Sequence, residues 1–171
     1  MRLVVFGWGN ESRGDDALGP LLLRRVEAAG FAGVTAVEDY QLQVEHALDL
    51  DDADMALFID AARNAAAPFA FSEISAKADA GYTTHALAPE AVLEVFKHLR
   101  KREPPPSFLL AVRGEGFELG AELSEPAKLG LEAAWGFVGG LLKEPDAEAW
   151  RRARGLSPAR EPIAPRRRRW R

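Results

Sequence analysis

The stretch VVFGWGNESRGDDALGP, Val4 to Pro20, joins an apolar run to a helical pattern through a turn rich in glycine and carboxylate. Arg2 to Phe6 reads as a short buried strand, Gly7-Trp8-Gly9-Asn10 breaks it, and from Ala17 to Ala29 the apolar residues Leu18, Leu21, Leu22 and Val26 recur at helical spacing up to Gly30. Strand, loop and helix in this order open an α/β fold. The loop does not fit a nucleotide. A dinucleotide fingerprint needs a third glycine where Ser12 stands, and no Gly-Lys-Ser/Thr follows. Asp15 and Asp16 would also repel a phosphate arriving at the helix N-terminus, whereas a carboxylate is stabilised there. Asp15 is therefore read as the helix N-cap. Asp16, one position further on, points elsewhere from the same turn and is the candidate for chemistry, set against the plain alternative of an acidic first-turn residue.

Beyond this unit, strands are predicted at Val34 to Val37, Met55 to Ile59, Phe69 to Ile74 and Ser107 to Val112. Helices are predicted at Pro89 to Lys101, where proline suits the first turn, and at Glu125 to Lys143, whose Gly136, Gly139 and Gly140 weaken its last turns. Between the second and third strands, QLQVEHALDL places Leu42, Val44, Ala47 and Leu48 on a short amphipathic helix. The alternation predicts a three-layer α/β domain of the phosphorylase/hydrolase-like kind, with a twisted, mostly parallel sheet of about five strands flanked by helices. In such sheets ligands bind outside the carboxyl ends of the strands. LFIDAA ends the third strand there with Asp60, which either reaches the crevice or caps the following turn. His85, in GYTTHALAPE, lies in a loop just before the helix that Pro89 begins, whereas His46 and His98 read as packing or surface residues. Two carboxylates and a neutral imidazole form an oxygen and nitrogen ligand set suited to a divalent transition metal.

Composition narrows the class. The 171 residues are 47% apolar, enough for one domain with a real core, and they include no cysteine, so neither disulfides nor thiolate metal sites are available. With no run of 18 apolar residues and no signal-peptide pattern, a cytoplasmic protein without membrane association is expected. The net charge of −4 hides a division: residues 151–171 hold nine Arg and one Glu, a net +8, which leaves −12 on residues 1–150. We place the domain at residues 1–145 and read residues 146–171 as a basic, Pro/Arg-rich, disordered tail. The cluster Arg166 to Arg169 suits an acidic partner or the acidic body itself. Nucleic acid is disfavoured, since no aromatic-interleaved or helical recognition pattern accompanies it.

The chain resembles the hydrogenase maturation proteases, endopeptidases that remove a C-terminal extension from the large subunit of nickel-iron hydrogenases. The resemblance is carried by VVFGWGNESRGDDALGP, MALFIDAA, TTHALAPEAVLEVF and FLLAVRGEGFELGAELS, and it spans most of residues 1–143. It implies that Asp16, Asp60 and His85 are the catalytic and metal-recognition residues. It also implies that their nickel arrives already inserted in the precursor rather than tightly bound by the isolated protein. Such an ion can polarise the scissile carbonyl or activate a water with a carboxylate as general base, and the residues do not choose between these. One departure stands out: relatives carry a glycine- and threonine-rich loop after the second strand, where this chain reads EDYQLQVE. Gln41 and Gln43 there either hydrogen-bond an extended peptide or begin a helix. Two other functional classes are a noncatalytic metal-dependent chaperone or checkpoint protein and an independent zinc-type metallohydrolase.

Overall fold

The computed structural model describes residues 1–78 and 87–155. Five strands, β1 (Leu3–Trp8), β2 (Val34–Asp39), β3 (Met55–Ala62), β4 (Phe69–Ile74) and β5 (Ser107–Arg113), form one sheet in the order β2-β1-β3-β5-β4. The first four in that order run parallel, and β4 pairs antiparallel with β5 at the edge. The α/β fold expected from the alternation is thus present, as a mostly parallel sheet with an antiparallel edge strand. The helices are α1 (Leu18–Ala29), α2 (Pro89–Arg100), α3 (Glu125–Lys143) and α4 (Ala147–Ala153).

Alternation along β1 splits the core into two layers, because successive side chains of a strand point to opposite faces. Leu3 and Val5 join Leu57, Ile59, Phe108 and Leu110 against Leu22, Val26, Ala134 and Val138 of α1 and α3. Val4, Phe6 and Trp8 join Ala56 and Phe58 on the other face, against Val92, Leu93 and Phe96 of α2 and Leu50. Leu50 ends the short helix expected there, Val44–Leu50, which is of the 3-10 kind. Its tighter turn buries Ala47 but leaves Val44 and Leu48 exposed, and Leu42, just before it, is buried. The glycines of α3 do not shorten it, since burial of Val138 and Leu142 outweighs their low propensity.

The domain boundary expected at residue 145 requires correction. Asp146 caps α4 by accepting from the Ala149 amide at 2.9 Å, and Trp150 is wholly buried, edge-on to Phe71 and Phe108. Burial of one large aromatic ring draws this segment onto the sheet. The rest of the expected tail, including Arg166 to Arg169, lies outside the described residues. Among the described residues no helix is long and apolar enough to cross a membrane. Trp150→Ala should therefore cost about 3–5 kcal/mol in urea denaturation, the usual loss for truncating a buried large aromatic residue.

Candidate functional site

Strand order places the crevice. The chain leaves β1 for β2 on one side and returns to β3 on the other, so the connections diverge at the carboxyl ends of β1 and β3, where open α/β sheets bind ligands. The turn after β1 is built by close approach. A Cβ on Gly9, whose φ is +149°, would overlap the carbonyl oxygen of Asp16, and one on Gly19 would overlap the carbonyl oxygen of Trp8. Gly19 also lies against Ile59 of β3, so the start of α1 sits directly over both strands. Only glycine permits these contacts.

Asp15 is not the N-cap expected from its position. It lies within a 3-10 turn, Gly14–Ala17, that precedes α1, and its side chain is fully buried. Its carboxylate accepts from the amides of Glu115, Gly116 and Ser124 at 2.8, 3.1 and 2.7 Å, and from the Ser124 hydroxyl at 2.7 Å. Ser124 in turn caps α3 through the Ala127 amide. Burial alone pushes the Asp15 carboxyl up, but these hydrogen bonds together hold it below its ordinary 3.8. Asp15 is a structural tie between the first turn and the loop after β5. That partnership was invisible in sequence, because the donors lie about one hundred residues away; the only hint was Gly114-Glu115-Gly116 directly after a strand.

Asp16 lies in the 3-10 turn after β1 and Asp60 near the end of β3, where the connections diverge. Asp16 is partly exposed, and its Oδ2 accepts from the Asn10 amide at 2.6 Å, which orients the carboxylate beside Gly9. Asp60, near the end of β3, is pushed up from 3.8 to about 7, first by burial and further by the negative charge of Asp16, against the opposing pull of the Ala61 amide. Neither carboxylate forms an ion pair among the described residues. A like charge beside a buried carboxylate raises the cost of ionising it, and an arriving cation lowers that cost. These are the two described carboxylates that could contact a metal ion there. His85 lies outside the described residues. Among the described residues no three His, Asp or Glu side chains converge on one point.

His46, read as a packing residue, is buried. Its Nδ1 accepts from the Gln43 amide at 2.8 Å, and its Nε2 lies 3.3 Å from Asp39 Oδ2. Gln43 closes the reciprocal cap of the Val44–Leu50 helix, which supports its helix-start reading over peptide binding. His98 is an exposed residue of α2.

No protein-family model and no curated protein sequence matches the chain. Solved structures do. The chain is similar to the NiFe hydrogenase maturation protease HycI from Thermococcus kodakarensis, with a TM-score of 0.65 at 23% identity over 83% of this chain and 92% of that one. It is similar to the hydrogenase maturating endopeptidase HybD from E. coli, with a TM-score of 0.64 at 21% identity over 82% and 92%. For the hydrogenase 2 maturation peptidase from a Thaumarchaeota archaeon the TM-score is 0.60 at 23% identity over 83% and 98%. At these identities the likeness shows a shared fold.

The two adjacent functional regions should respond oppositely to amide substitution. Asp15→Asn turns a donor toward other donors and should cost about 2–3 kcal/mol in denaturant unfolding. Because the folded Asp15 carboxyl titrates below 3.8, its stabilisation is full above that value and is lost as pH falls through the folded value. Asp60 has the reverse sign: its folded value of about 7 makes the ionised form a liability that grows as pH rises from 3.8 to about 7. Asp60→Asn should raise the thermal midpoint at pH 8, with the gain fading as pH falls toward 3.8.

Proposed function

We propose that this chain is an endopeptidase that removes the C-terminal extension of a nickel-loaded hydrogenase large-subunit precursor in the cytoplasm. The reading is supported by one observation: Asp60, near the end of β3, is pushed up to about 7 by burial and further by the negative charge of Asp16, where the sheet's connections diverge. The shared fold with structures described as hydrogenase maturation proteases supports it. The nickel belongs to the substrate. Asp16, held by the Asn10 amide, and Asp60, at the end of β3, are the ligands offered to it, and His85 is the third. Oxygen and nitrogen donors alone hold nickel weakly, whereas a precursor that supplies thiolates would retain it, so recognition requires both partners. Cleavage then follows metal loading rather than preceding it. The basic tail is not needed for this chemistry, and an acidic partner is its expected contact.

Mass spectrometry of a co-expressed large subunit, with and without nickel, tests the reading. Trimming should occur only with nickel, and Asp16→Asn or His85→Gln should reduce it at least about a hundredfold while the unfolding midpoint stays near wild type. His98→Gln should leave it unchanged. Untrimmed precursor that nevertheless binds this chain would instead favour a noncatalytic checkpoint protein, and stoichiometric zinc surviving dialysis against a chelator would favour a self-contained metallohydrolase.

A further inference from the structure

The two edges of the sheet are treated differently. At β4 the chain closes its own edge: the Gly155 amide donates to the Phe71 carbonyl, Trp150 packs on Phe71, and Arg151 pairs with Glu73 at 2.9 Å. At β2 nothing among the described residues pairs the outer edge. The Leu3 amide donates to the Gly33 carbonyl and the Gly9 amide to the Asp39 carbonyl, so odd-numbered residues of β2 face β1. By the two-residue alternation of a strand, the amides and carbonyls of Ala36 and Glu38 point away from the sheet. Unprotected edges are templates for another strand, and β2 carries neither lysine nor proline to prevent it.

Three clefts follow this one strand. One, of about 240 Å³, lies on the Val44–Leu50 side against Thr35 and Val37; another, of about 130 Å³, lies on the α1 side between Val26, Phe31 and Ala36. Side chains of an added strand alternate between these two faces. The third, of about 360 Å³, opens where β2 ends and is walled by Asn10, Glu11, Arg24, Glu38, Asp39 and the exposed Tyr40. Arg24 is already paired with Glu38 and Glu11, so the cleft is acidic on balance. Its Asn10 wall is hydrogen-bonded to Asp16.

We propose that the outer edge of β2 receives the extended cleavable segment of the substrate as an added strand, with a basic side chain seated in the Glu11–Glu38–Asp39 cleft. This rests on the endopeptidase reading, and it supplies how a peptide is led to the Asp16–Asp60 crevice. The edge gives main-chain hydrogen bonds and the flanking clefts take alternate side chains, which is the general mode of strand addition. The chain's own residues 156–171 suit the edge poorly, because Pro158, Pro162 and Pro165 remove donors at short intervals.

The test uses a fluorescein-labelled peptide of alternating threonine and valine that ends in two arginines, added to the full chain without precursor or nickel. It therefore stands or fails separately from the trimming assay. On binding, the Ala36 and Glu38 amides should become protected from hydrogen exchange. Ala36→Pro, which removes only an outward donor, should weaken binding about tenfold with the unfolding midpoint retained, and replacing the two arginines by glutamates should weaken it similarly. Protection confined to other amides, or equal binding by wild type and a folded Ala36→Pro, overturns the proposal. Protection of both amides in the free chain assigns the edge to the tail, and concentration-dependent dimerisation that Ala36→Pro abolishes assigns it to a second copy; either also overturns it.

Discussion

A carboxylate sealed from water must find enough donors or lose its charge, and Asp15 imposes that demand on this fold. Four hydrogen bonds satisfy it, three from backbone amides and one from the Ser124 hydroxyl. The donors belong to the loop after β5 and to the cap of α3. The first turn of the chain, the exit of the central sheet and the start of the longest helix are therefore positioned by one side chain. Asp16, the next residue, inherits its orientation from that anchoring.

The same region shows how two aspartates of identical chemistry acquire opposite electrostatics. Asp15 meets converging donors and is stabilised as an anion, whereas Asp60 meets burial and a like charge and is destabilised as one. The first strengthens the fold. The second stores unfavourable electrostatics at a crevice, a pattern common where a site must receive a cation. Gly9 and Gly19 permit this geometry, because any side chain there would separate α1 from the ends of β1 and β3.

The edges of the sheet repeat the contrast between closure and access. α4 and Gly155 complete β4, while β2 stays open on the side nearer the carboxylates. Asp39, last residue of β2, is held by the buried His46 and by the Gly9 amide, so the strand end, the cleft and the turn after β1 are parts of one hydrogen-bonded unit. The EDYQLQVE segment supplies that unit in place of a glycine-rich loop.

What the sequence determined by itself was periodic or local. Two-residue and 3.6-residue apolar spacing disclosed all five strands and the helices α1, α2 and α3, and the prolines at 104–106 precede β5 as expected, but β1 continues through the expected breaker Gly7 to Trp8 because both neighbouring strands pair with it there. The positions of Asp16 and Asp60, in the turn after β1 and near the end of β3, were legible because both lie at the carboxyl side of a parallel sheet. Tertiary structure decided what depended on distant partners. Asp15 looks like a cap until Glu115, Gly116 and Ser124 are brought to it, and Trp150 looks like part of a polar tail until Phe71 and Phe108 surround it. Local pattern reports the hydrogen bonds a residue can make with its neighbours. Burial and charge are set by whatever the rest of the chain places around it, and only folding supplies that.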